Sequence, residues 1–113
     1  MHIQFNTDSN IKGDTDLAAK TKAVVMATLD RLSDRITSVE VYLADENSDQ
    51  KVGTQTIRCV MEARLTGLSP LAVTNHADSV EEAVDGAADK LERVLQSTLG
   101  RLETLQEEPP PIE

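Results

Sequence analysis

Few residues in this chain have types that could support covalent or metal chemistry. Cys59 and His76 are the only Cys/His combination resembling a nucleophile with its base. Their placement depends on the strands that carry them. The segments around them alternate with period two on either side of Thr66-Gly67-Leu68-Ser69-Pro70, a turn signal. Pairing Leu65 with Leu71 sets Cys59 opposite Ala77 and His76 opposite Val60, which puts the two side chains on opposite faces of the sheet. The expectation is a buried structural cysteine and a surface histidine.

Metal and calcium chemistry have even less to work with. His2 and His76 are far apart, and the chain has no C-x-x-C or H-E-x-x-H. Asp45-Glu46-Asn47-Ser48-Asp49 is acidic but lacks the spacing and closing glutamate of an EF-hand loop, so it reads as solvated. Gly53, Gly67, Gly86 and Gly100 are isolated and form no phosphate loop. No paired general acid and base stands out. The chain is therefore expected to have no catalysis, no metal, no cofactor and no small-molecule substrate.

Charge is more informative. The chain carries 20 acidic and 11 basic residues, a net −9 that repels phosphate at long range. Glu107, Glu108 and Glu113 supply three of those charges, so residues 1–105 stand at about −6. On helices turning 100° per residue, the charges segregate. Lys90, Arg93 and Arg101 share a stripe with Gly86, Ser97 and Thr104. Lys20, Arg31 and Arg35 share one with Val24 and Ala27. Asp85, Asp89, Glu92, Gln96 and Glu103 gather beside the first of these. The ordinary reading is a mixed helix surface with i,i+4 pairing. The functional reading is a local basic strip for phosphates, with the acidic stripe as the rival surface for a basic protein partner.

These stripes need elements to carry them. A 113-residue chain with 39% hydrophobic residues fits one domain with a real core. Aromatic residues are limited to Phe5 and Tyr42, so aliphatic residues must build that core. Ile3 and Phe5 mark a first strand over 2–6. Asp14, Thr15 and Asp16 start a helix whose stripe runs through Leu17, Thr21, Val25, Thr28 and Leu32. Val39, Val41 and Leu43 mark a second strand over 38–43. Ile57, Cys59, Met61, Ala63 and Leu65 mark a third over 56–65, and Leu71 and Val73 a fourth over 71–77. Ser79 with Glu82 forms a capping-box pattern before a long helix. Its stripe is read as Val80, Val84, Ala87, Leu91, Val94, Thr98, Leu102 and Leu105. It would span about 39 Å and overhang the sheet. Gly86 inside it costs about 1 kcal/mol against Ala, which points to close packing there.

The expected fold is α+β: β-α-β-β-β-α, a four-stranded sheet with two helices packed on one face. The expected core is Ile3, Phe5, Val39, Val41, Ile57, Cys59, Met61 and Val73 from the strands, with Val25, Leu29, Val84, Leu91 and Val94 from the helices. Residues 1–105 form the domain. Residues 106–113, with Pro109-Pro110-Pro111, read as a disordered acidic tail. The N-terminus has no signal pattern, no run suits a membrane, and one cysteine suits a reducing cytosol, so the expectation is cytoplasmic. The open sheet face and the overhanging helix are compatible with a homodimer.

Three segments resemble the ribosome hibernation-promoting factors, the ribosome-associated inhibitor or sigma-54 modulation family. Leu29-Asp30-Arg31-Leu32-Ser33-Asp34-Arg35-Ile36 runs into Val39-Glu40-Val41-Tyr42-Leu43. The central hairpin leads into the final helix. Ala83-Val84-Asp85 followed by Asp89-Lys90-Leu91-Glu92-Arg93 looks like that family's closing helix. The resemblance covers most of Met1 to Glu103, and the 89–93 segment is its most specific part. It implies a non-enzymatic factor that binds the small ribosomal subunit through rRNA and inhibits translation in stress or stationary phase. It also implies a short form without an added C-terminal domain. Lys90, Arg93 and Arg35 match the family's pattern; Lys20, Arg31 and Arg101 are placed by helical geometry. Ala23, Ala27, Ser97 and Gly100 stand where the family presents more basic residues.

Overall fold

The computed structural model describes residues 1–46 and 56–107, with side chains described as far as Arg101 in the last helix. The order is β1 (His2–Thr7), α1 (Thr15–Leu29), a 3-10 helix (Asp30–Arg35), β2 (Ile36–Asp45), β3 (Ile57–Leu65), β4 (Leu71–Ala77) and α2 (Val80–Glu107). The four strands form one sheet in the order β1-β2-β3-β4. β1 runs parallel to β2, and the other pairs are antiparallel. A parallel pair needs a long crossover, which α1 and the 3-10 helix supply. Residues 47–55 and 108–113, including most of the acidic loop and the Pro-rich tail, lie outside the described residues.

Local chemistry sets the element ends. The Asp14 side chain accepts the Leu17 amide at 2.8 Å and caps α1. Ser79 Oγ accepts the Glu82 amide at 3.1 Å and donates to the Glu82 carboxylate at 3.1 Å, opening α2. Helical spacing in the sequence carries the first helix to Leu32. It ends as an α-helix at Leu29, and the tighter 3-10 turn carries the chain to Ile36. A bulge between Ile36 and Ser38 lets β2 insert an extra residue against Leu65 and Arg64. That extra residue keeps Ile36 facing inward, in step with Val39, Val41 and Leu43. α2 continues to Glu107, two residues past its expected end.

Both helices supply the core on one side of the sheet. Val25 and Leu29 from α1, and Val84, Leu91 and Leu95 from α2, join Val39, Val41, Leu43, Cys59 and Met61 in one buried cluster. Phe5 and Val73 pack at its margin. Two sequence expectations are corrected. Val94 is 37% exposed, and Ala88, Leu95 and Leu99 are buried instead. At 100° per residue Val94 lies about 40° to one side of Val80 and Leu95 about 60° to the other, and the sheet covers the side that carries Ala88, Leu95 and Leu99. The β3–β4 register also differs. Ala63 faces Leu71, Cys59 faces Asn75, and Arg58 faces His76. The slip is two residues, and side chains alternate with period two, so each keeps its predicted face.

Gly86 has a specific reason to be glycine. A Cβ there would collide with the Asn75 side chain, approaching its Cγ to 2.8 Å. Asn75 is an inward polar residue of β4 whose amide donates to the carbonyls of Ala83 (3.2 Å) and Glu82 (3.4 Å) in the first turns of α2. Gly86→Ala should therefore destabilise the protein by about 1–3 kcal/mol through overpacking, despite its better helix propensity. In an Asn75→Ala background the same change should become stabilising, by up to about 1 kcal/mol. Urea unfolding of the four proteins measures this change of sign.

Candidate nucleic-acid interface

The six candidate cations do not form one surface. α1 and α2 lie side by side with their N-terminal ends together, since Leu17, Lys20, Thr21 and Val24 share a small apolar groove with Val80, Glu81, Val84 and Asp85. At the other end Arg31, on the 3-10 helix, lies 3.5 Å from the Glu92 carboxylate of α2. Glu92 therefore marks the flank of α2 that faces the first helical segment. Lys90 marks the opposite flank, where its ammonium donates to the Thr74 carbonyl of β4 at 3.0 Å. Helical spacing places Ser97 and Arg101 on that β4 side and Arg93 at the crest, away from the sheet.

The acidic stripe is likewise divided. Glu92 is committed to Arg31, and Asp85 lies in the groove with Lys20. Lys20 itself pairs with Asp16 at 3.8 Å, an exposed i,i+4 pair of small energetic weight. Asp89 is exposed on α2, and the Glu103 side chain lies outside the described residues. Folding thus interleaves the sequence's two single-sign stripes between the helices. Arg93 and Arg101 are exposed and make no ion pair among the described residues. Arg35 lines an open cleft of about 370 Å³ with Arg31, Leu32, Asp34, Gln96, Leu99 and Gly100.

Sequence reasoning missed that cleft, because it forms only where the 3-10 helix meets the last turns of α2. It also missed a cluster on the helix-free sheet face. Glu46 lies 3.2 Å from both Arg58 Nε and His76 Nε2, and the Arg58 guanidinium sits 5.9 Å from the Tyr42 ring centroid. Period-two alternation does place Arg58 and His76 on the wet face; their pairing required the correct register.

Cys59 lies fully buried on the inner face, away from His76. Burial pushes its thiol up to about 12. At pH 8 the thiolate fraction is then roughly one in 10⁴, and the nucleophile is the thiolate. Cys59 should show no labelling by an aromatic disulfide reagent in the native protein and one equivalent after unfolding in guanidinium. Rapid native labelling would contradict its burial.

With this geometry in place, comparison with known proteins is decisive. The model of the family described as sigma 54 modulation protein / S30EA ribosomal protein matches residues 10–103. The chain belongs to this family. The fold resembles the N-terminal domain of Protein Y from Thermus thermophilus, with a TM-score of 0.69 and 21% identity over 87% of this chain and 99% of that one. It also resembles a ribosomal subunit interface protein from Coxiella burnetii, with a TM-score of 0.65 and 19% identity over 88% of this chain and 99% of that one. No curated protein sequence matches the chain significantly. Among the described residues, no helix is long and apolar enough to cross a membrane.

Proposed function

We propose that this chain is a non-enzymatic ribosome-associated factor that binds the small ribosomal subunit and inhibits translation under stress or in stationary phase. Membership of the family over residues 10–103 is the observation that carries this reading. Arg93 and Arg101 are its foremost phosphate contacts, because both are exposed and unpaired among the described residues. Lys90, Arg31 and Arg35 flank them on either side of α2, and Lys20 lies further along α1. The net charge of −9 opposes approach at a distance. At physiological salt, screening over about 8 Å leaves a guanidinium in contact with phosphate governed mainly by its neighbours. The rival reading is an acidic module for a basic protein partner, favoured by that same net charge and by the exposed Asp89.

Co-sedimentation with small ribosomal subunits across a salt series distinguishes the two. Binding should weaken as salt rises, and Arg93→Glu with Arg101→Glu should lower it at least about tenfold and flatten the salt slope by about 1.5–2 units. Protein that stays in the supernatant at low salt would count against the ribosome. Binding that survives this double change, but is abolished by Asp85→Lys with Asp89→Lys, would establish the acidic module instead.

A further inference from the structure

We propose that the open edge of β4 is a strand-pairing surface for a second copy of this chain, and that Lys90 guards it. β4 is an outermost strand of the sheet, paired on one side only. The direction of its backbone groups follows from the register of the whole ladder. The Glu46 amide donates to the Thr56 carbonyl at 2.7 Å, continuing the run in which Asp45 faces Ile57. Hydrogen-bonded pairs alternate along an antiparallel ladder, so Arg58, Val60 and Glu62 turn their N–H and C=O groups toward β2. Cys59 and Met61 turn theirs toward β4, where they meet Asn75 and Val73. The N–H and C=O groups of Ala72, Thr74 and His76 therefore point away from β3, at the open edge. A second contact fits this direction: from the flank of α2, the Lys90 ammonium donates to the Thr74 carbonyl at 3.0 Å. Among the described residues, Lys90 is the one partner of these outward groups.

A row of unpaired N–H and C=O groups is a template for another strand, and native edges are blunted by proline, a bulge or lysine. β4 has no proline and no bulge, and it has the lysine. The edge is also self-complementary. Antiparallel pairing about a twofold axis at Thr74 sets Thr74 against Thr74 of the second copy, and Ala72 against its His76. Each such pair exchanges two backbone bonds, about six in all. On the helix-free face the pairs are Thr with Thr and Ala with His, so no like charges stand opposite each other. The sheet continues across the axis, with both α2 helices on the same face. Val94, 37% exposed and one turn beyond Lys90, then lies in the seam between them. Lys90 opposes this pairing twice. It must leave the Thr74 carbonyl before a second strand can take that acceptor, and the axis then brings the two ammoniums together. The parent chain therefore pairs weakly, and pairing strengthens as salt screens the ammoniums and the net −9 of each copy. This pairing does not depend on the ribosome reading.

Sedimentation velocity of the full chain over a concentration series, with no ribosomes present, tests the pairing. Lys90→Ala should dimerise at least about tenfold more tightly than the parent, while Lys90→Arg, which keeps the charge and the donors, should behave as the parent does. Amide hydrogen exchange reads which surface is used. In the Lys90→Ala protein the amides of Ala72, Thr74 and His76 should slow sharply as concentration rises. Those of Val73 and Asn75, already bonded to β3, should change far less. Thr74→Pro in the Lys90→Ala background should restore the monomer, because it removes an outward N–H and no bond to β3. Urea unfolding checks that this variant folds; if it does not, the exchange pattern alone decides. A Lys90→Ala protein that stays monomeric at millimolar concentration overturns the proposal. So does a dimer whose Ala72, Thr74 and His76 amides exchange as fast as in the monomer, or one that survives a folded Thr74→Pro.

Discussion

Met61→Asp is expected to abolish the folded state. Met61 is fully buried at the middle of β3, facing Val41 on one side and Val73 on the other. Val41 is a fully buried core residue, and Val73 packs at the core's margin. A carboxylate at this position has no cation within the cluster, which consists of apolar side chains and Cys59. Protonating it to enter the core, or opening the core to hydrate it, costs several kcal/mol. A domain of this size has about 5–15 kcal/mol in total, so the change consumes much or all of it. Far-ultraviolet circular dichroism and urea titration measure the loss. Val60→Thr, one residue away on the helix-free face, should shift the urea midpoint only slightly. A folded Met61→Asp protein with near-parental stability would refute the inward orientation of β3.

The second large effect separates two neighbours on α2. Leu95 is completely buried and Val94 is 37% exposed. Leu95→Ala should cost about 2–5 kcal/mol, from lost transfer energy and the cavity left between α2 and the sheet. Val94→Ala should stay within about 0.5 kcal/mol, as surface changes do. Thermal unfolding of both variants provides the comparison. At this domain size, 1 kcal/mol moves the midpoint by about 4–8 °C, so the two should differ by about 6 °C or more. If Val94→Ala proved the costlier change, α2 would be rotated from the orientation described, and its basic flank would move with it.

The expected α2 stripe shows where sequence periodicity stops. Val80, Val84, Ala87 and Leu91 lie on or beside the buried face, and the error begins only at Val94. The stripe keeps the helical repeat, so spacing alone does not say whether Val94 or Leu95 turns inward; the roll of the 28-residue helix against the sheet decides it. The same limit applied to register. Turn position alone did not decide between Leu65 and Ala63 as the partner of Leu71, but a two-residue slip leaves every side chain on its face. Either register therefore puts Cys59 inside and His76 outside, and only their cross-strand partners change.

By itself, the sequence determined the element order, the inward face of each strand, the helix caps at Asp14 and Ser79, and the family likeness concentrated in Asp89 to Arg93. Each of these depends on chemistry within a few residues: alternation, helical spacing or a side chain reaching its own backbone. Only the tertiary structure decided how the charges meet. On one helix drawn alone, Lys90, Arg93 and Arg101 look like a continuous basic strip and Asp85, Asp89 and Glu92 like an acidic one. Packing α2 between the β4 edge and the first helical segment ties Lys90 to Thr74 and Glu92 to Arg31, and it creates the cleft beside Gly100. Helical spacing says which residues share a face. Which neighbour that face meets depends on long-range packing, and the electrostatics of a surface belong to the neighbours.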